Sequence, residues 1–140
     1  MIIGIDASRA ALAHHTGTET YAYRLILAMA PLASADLRLR LYTHQPPQPV
    51  PWPESQFVET RVIPLPRLWT HLRLAAEIAR HPPDALFIPA HVLPLYCPVP
   101  AAVTVHDLGY LYYPDAHTPF QRRYLHWTTR RHARVARRII

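Results

Sequence analysis

Residues 1–6, MIIGID, are a short apolar run ending on a carboxylate, the pattern of a strand buried on both faces of a parallel sheet. A polar stretch follows, ASRAALAHHTGTE, and then TYAYRLILAMAPL, where Tyr21, Leu25, Ala28 and Met29 recur at helical spacing up to Pro31. Thr18 or Thr20 is the expected N-cap. LRLRLYTH (37–44) alternates apolar residues with arginine, which predicts a strand near a sheet edge. The proline-rich QPPQPVPWPES (45–55) predicts an extended loop, and FVETRVIPLP (57–66) a third strand stopped by Pro64. RLWTHLRLAAEIAR (67–80) predicts a helix with Leu68, Leu72, Ala75, Ala76 and Ile78 inward. ALFIP (85–89) and AAVTVH (101–106) read as the fourth and fifth strands. A long helix is expected from Thr118 to Arg137, and RRII then reads as the start of a sixth strand.

Strands alternating with helices predict an α/β fold: a Rossmann-like parallel sheet with right-handed crossovers, helices on both faces and strand order 3-2-1-4-5. Ligands of such sheets bind outside the carboxyl ends of the strands. Asp6, the Gly17 loop, Ala90-His91 and His106-Asp107 all fall at that edge. Gly17 and His106 are expected within about 15 Å of each other.

Composition narrows the chemistry. The 140 residues suit one domain, able to bury roughly two-thirds of the surface its unfolded chain exposes. No apolar run approaches the roughly 18 residues of a membrane span, and Met1 opens no signal-peptide pattern, which reads as a cytoplasmic chain. The single cysteine, Cys97, excludes an internal disulfide and a cysteine-based zinc cage. All 15 basic residues are arginine, so lysine-dependent phosphate loops and Schiff bases are excluded. Glycine occurs only at positions 4, 17 and 109, which excludes a GxGxxG dinucleotide fingerprint. The net charge of +6 favours anionic partners. Nucleic acid is not expected, because no binding motif or stacking platform accompanies the charge.

HTGTETY (15–21) sets one glycine and several hydroxyls just before a helix. Backbone N–H groups there suit a phosphate, and a glycine there equally suits a simple turn. His106 has the chemistry of a neutral hydrogen-bond partner, a general base, a metal ligand or a satisfied structural histidine. The ten histidines are scattered without HExxH-type spacing, so no metal is expected. Asp107 either orients His106 or caps the following loop. The 118–137 helix carries Arg122, Arg123, Arg130, Arg131, Arg134 and Arg137 over about half its wheel, with Arg138 just beyond. Tyr124, Leu125, Thr128, Val135 and Ile139 take the other half. Such a basic face is either solvated or set against an anionic membrane surface.

Taken together, IGIDASRA, TGTETYAYRLILAMA, FIPAHVLPL and VTVHDLGYLYYPDAHTPFQRRYLHWTTRRHARVARRII resemble the N-terminal domain of family 4 glycosyltransferases of the GT-B fold. The resemblance runs over essentially the whole chain, anchored at residues 2–30 and 85–140. It implies transfer of a sugar from a nucleotide-sugar donor to a sugar or lipid-linked acceptor, with retention of configuration and no cofactor or essential metal. By position, Gly17 and Thr18 would lie by the donor diphosphate and His106 by the transferred sugar, with Glu19 and Asp107 as supporting candidates. The family's second domain, which grips the donor and carries paired glutamates, has no counterpart in these residues. Residues 1–140 are therefore expected to be an acceptor-side domain, incomplete at its carboxyl end and inactive alone. The alternative is a non-catalytic Rossmann-like binding module that uses Arg122, Arg123, Arg130, Arg134 and Arg137 to contact a membrane or partner protein. Peripheral contact at the inner face of the membrane is the corresponding expectation for location.

Overall fold

The first apolar run forms β1 (Ile2–Asp6), and the arginine-alternating run forms β2 (Arg38–Thr43) beside it. With β3 (Val58–Val62), β4 (Ala85–Ile88), β5 (Ala101–Val103) and β6 (Arg138–Ile139) they build one all-parallel Rossmann-like sheet, ordered β3-β2-β1-β4-β5-β6. The expected 3-2-1-4-5 order is present, extended by β6 at the far edge. The computed structural model describes residues 1–47, 52–53, 55–90 and 92–140; His91 and part of the proline-rich loop lie outside them.

Alternation in β2 has a two-sided cause. Leu39 and Leu41 face one core, while Arg40 on the other face pairs with Glu59 of β3 at 2.9 Å. β3 is thus the edge strand and β2 lies one place in. Ile63 still donates its N–H to Thr43 at 2.8 Å, and Pro64, lacking a donor, ends the ladder as expected. β5 is shorter than 101–106. Beyond Val103, single bonds from Thr104 to Ile88 (3.0 Å) and from Val105 to Ile140 (2.9 Å) lead the backbone out to His106.

Helix α1 (Gly17–Met29) starts earlier than Thr18 or Thr20 allow, because Thr16 is the N-cap. The signal is T-x-x-E: the Glu19 carboxylate accepts from the Thr16 N–H at 3.3 Å and also from its hydroxyl. This start buries Glu19, Ala22 and Ile26 against the sheet, leaves Tyr21, Leu25 and Met29 half-buried on a flank, and exposes Ala28.

The 67–80 segment departs further. Leu68 takes a left-handed φ of 55°, a π-helical turn covers Thr70–Leu74, and α2 (Ala75–Arg80) follows. The wider turn rotates the wheel. Trp69, Leu74, Ala75 and Ile78 are buried, whereas Leu68 and Leu72 stand exposed rather than inward and Ala76 is intermediate.

After a single turn, α3 (Gly109–Tyr112), comes α4 (Pro119–Val135), which begins one residue after the expected Thr118 because Thr118 is its N-cap. Thr118 Oγ1 accepts from the Gln121 N–H at 3.2 Å, and Gln121 Oε1 accepts in return from the Thr118 N–H at 2.9 Å. The helix stops before Arg137 because Ala136 is extended, and Arg137 already donates its N–H to Ala101 at 2.8 Å.

One core lies between the sheet and α1, around Ile5, Ala22, Ile26, Leu39 and Leu41. The other lies on the opposite face, around Tyr42, Leu74, Ile78, Leu86 and Ile88. On the α1 face, Phe87 of β4 joins the first core, but no helix among the described residues covers β5 and β6. A trough of about 480 Å³ runs there between Leu25 and Met29 on one side and Phe87, Ala102 and Ile140 on the other.

Candidate functional site

The carboxyl ends of β1, β4 and β5 lie side by side at one edge of the parallel sheet. Gly17 is the first residue of α1, exposed and without a positive φ; a Cβ built on it meets no atom within 4 Å. Neither turn geometry nor internal packing therefore requires glycine here, and what the missing side chain leaves is open backbone at a helix N-terminus. Thr18, half-buried, follows it. Glu19 is buried in the cap and ion-paired with Arg9 at 3.2 Å, and its Thr16 hydrogen bond, with the Arg9 charge, holds its carboxyl below the usual range. A carboxylate so engaged is part of the helix start.

His106 is exposed at the same edge. Its Nε2 lies 2.8 Å from the Pro89 carbonyl, which can only accept, so Nε2 carries the proton and Nδ1 is left as the acceptor of the neutral ring. Tyr21, one helical turn on from Gly17, packs edge-on against it, with centroids 5.0 Å apart at 88°. The Tyr21 hydroxyl also lies 3.4 Å from Thr104 Oγ1. The expected convergence of the Gly17 loop and His106 on one edge is therefore present, bridged by a tyrosine that the sequence reading assigned only to helix packing.

Asp107 serves the loop. Its Oδ1 accepts from the Gly109 N–H at 2.8 Å and so starts α3. Asp6, the last residue of β1, is buried. Its Oδ1 accepts from the Ser8 N–H (3.0 Å) and hydroxyl (2.6 Å), its Oδ2 has no hydrogen-bond partner among the described residues, and burial pushes its pKa up.

Behind His106 lies a cavity of about 320 Å³, whose walls include Thr104, His117, Thr128 and His132. The buried His132 accepts the Leu93 N–H at 3.1 Å on Nε2, and burial, with the Arg131 charge, lowers its pKa. It is a neutral strut. Nothing in the sequence reading marked it, since its role depends on a loop 39 positions away.

The arginines do not act as one face. Arg131 turns inward and donates to the carbonyls of Leu93 (3.2 Å), Pro94 (2.7 Å) and Leu95 (2.6 Å). Arg137 and Arg138 border the apolar trough. Arg130 and Arg134 are exposed on α4, while Arg122 and Arg123 line a second cleft, between α3 and α4. The apolar half of α4 is shallow too: Thr128 and His132 are buried, but Tyr124, Trp127 and Val135 remain exposed. Among the described residues, no three His, Cys, Asp or Glu come together as a metal site. No helix there is long and apolar enough to cross a membrane.

This edge thus offers unblocked backbone donors, two hydroxyls and one oriented imidazole, which suits hydrogen bonding to a polyhydroxylated, anionic ligand. No protein-family model, curated protein or solved structure matches the chain.

Proposed function

We propose that this edge is the wall of a nucleotide-sugar site, and that the chain serves retaining glycosyl transfer to a sugar or lipid-linked acceptor. The observation that carries the reading is the Tyr21–His106 contact, which links the open α1 N-terminus to the tethered imidazole at one sheet edge. Backbone N–H groups at Gly17 and Thr18 take the donor diphosphate, and the Nδ1 acceptor of His106 takes a hydroxyl of the transferred sugar. Glu19 at the third helical position already answers part of the helix dipole, and the edge is open to water, so the donor is held weakly. Millimolar affinity, about −4 kcal/mol, is expected for residues 1–140, without measurable transfer.

Amide NMR of the labelled chain, titrated with UDP-glucose and GDP-mannose, tests this. Shifts concentrated at Gly17, Thr18, Tyr21 and His106, and lost in His106→Ala, are expected. Shifts elsewhere, or none at tens of millimolar ligand, would overturn the assignment.

A second reading is a binding module that meets an anionic membrane through its arginines. It is favoured by Tyr112, Tyr113, Phe120 and Trp127, which stand exposed on the α3–α4 segment that carries Arg122 and Arg123. Rings of this kind beside guanidinium groups suit the headgroup layer.

A further inference from the structure

The cleft between α3 and α4 has a volume of about 560 Å³ and is lined by Tyr110, Leu111, Pro119, Arg122, Arg123 and His126. Its two walls are held together by the Tyr110 and His126 rings, 6.3 Å apart and edge to face. Both arginines are exposed, and among the described residues neither has an acid within ion-pair distance. The first turn of α4, which opens at Pro119, carries no acidic side chain and is capped by the neutral Thr118 and Gln121. Two guanidinium groups, an imidazole and the positive end of a 17-residue helix therefore surround one concave space.

The other cavities described lack this combination among the described residues. The trough on the α1 face is almost wholly apolar, and the cavity behind His106 has only histidines as basic groups. Arg40 and Arg61, by contrast, are spent on Glu59 and Glu77.

We propose that this cleft is a phosphate-binding subsite, taking a dianionic phosphate monoester or a diphosphate. Guanidinium forks match phosphate oxygens in pairs, and two of them on adjacent residues can share one group. Tyr110 lines both this cleft and the cavity behind His106, so the two spaces are neighbours on either side of one buried ring. The binding claim stands independently of glycosyl transfer.

The phosphate can belong to a free solute or to a lipid headgroup, and two measurements on the whole chain separate them. One is calorimetric titration with inorganic pyrophosphate. The other is co-sedimentation with phosphatidylcholine vesicles with and without phosphatidic acid. Saturable binding is expected in at least one arm: pyrophosphate binding identifies a free phosphate ligand, and binding only to the phosphatidic acid vesicles identifies a headgroup. Arg122→Gln/Arg123→Gln should weaken it about tenfold or more, while Arg130→Gln/Arg134→Gln stays within about twofold. Arg122→Lys/Arg123→Lys keeps the charge and loses the fork, and should fall between them, which also serves if the glutamine pair fails to fold by circular dichroism. No binding in either arm, equal losses in the two glutamine pairs, or full affinity in the lysine pair would each overturn the subsite.

Discussion

At the scale of single residues, burial decides what each ionisable group can do. His132 is held neutral because its ring is buried beside Arg131 and its Nε2 is already taken as an acceptor. Its folded pKa lies below the ordinary 6.5, so in the window below 6.5 the unfolded chain binds a proton that the folded chain refuses. Stability from this group is complete above 6.5 and is lost as pH falls through that window. His132→Gln keeps an acceptor for Leu93 without a titrating ring. Thermal melts between pH 7.5 and 5 should therefore show a smaller loss of stability in the variant, with His44 and His71 still contributing a drop of the same sign. An unchanged pH profile would show that His132 is not the titrating strut. His106 differs in kind, being exposed and tied by one hydrogen bond, so its removal costs the fold little.

At the scale of elements, the caps explain where the sequence was readable and where it was not. Strand order and Pro64 as a stop follow from apolar runs and a missing donor. The α1 start was misplaced because three threonines compete at positions 16, 18 and 20, and only the carboxylate at 19 selects the first. Thr16→Ala should cost about 1 kcal/mol in urea unfolding, and Thr18→Ala and Thr20→Ala less than about half of that. Equal costs at the three positions would mean that the cap does not govern the helix. The π-helical turn at Thr70–Leu74 was not legible: a single register change moved Leu72 out to solvent and Leu74 into the core, and period counting has no term for it. The site was half legible. Its edge followed from topology and the loop-capping role was one of the two offered for Asp107, but Tyr21 as the bridge and Arg131 as a clamp depend on contacts that chain-order reading does not supply.

At the scale of the molecule, one sheet separates two unequal halves. The face that carries α2 has one core, whereas the α1 face is packed over β1 and β2, with Phe87 of β4 joined to that core, and among the described residues is open over β5 and β6. The His106 edge and the phosphate cleft adjoin the same stretch of chain, residues 104–126, with Tyr110 between them. The order of the strands has a temporal consequence. β1 is made first and lies in the interior of the sheet, yet one of its two partners, β4, is synthesised only about 80 positions later: Ile2 donates its N–H to Asp84 across 82 positions of chain. Closing so distant a pair costs chain entropy before its contacts form, which slows completion of the sheet. Stopped-flow refolding followed by the buried Trp52 and Trp69 should run over roughly milliseconds to seconds, with slower phases from proline isomerisation; full recovery in microseconds would contradict it. On a ribosome, the apolar Ile2, Ile3 and Ile5 would emerge well before β4 exists to pair with them, which makes the first strand of this chain the one longest in need of protection.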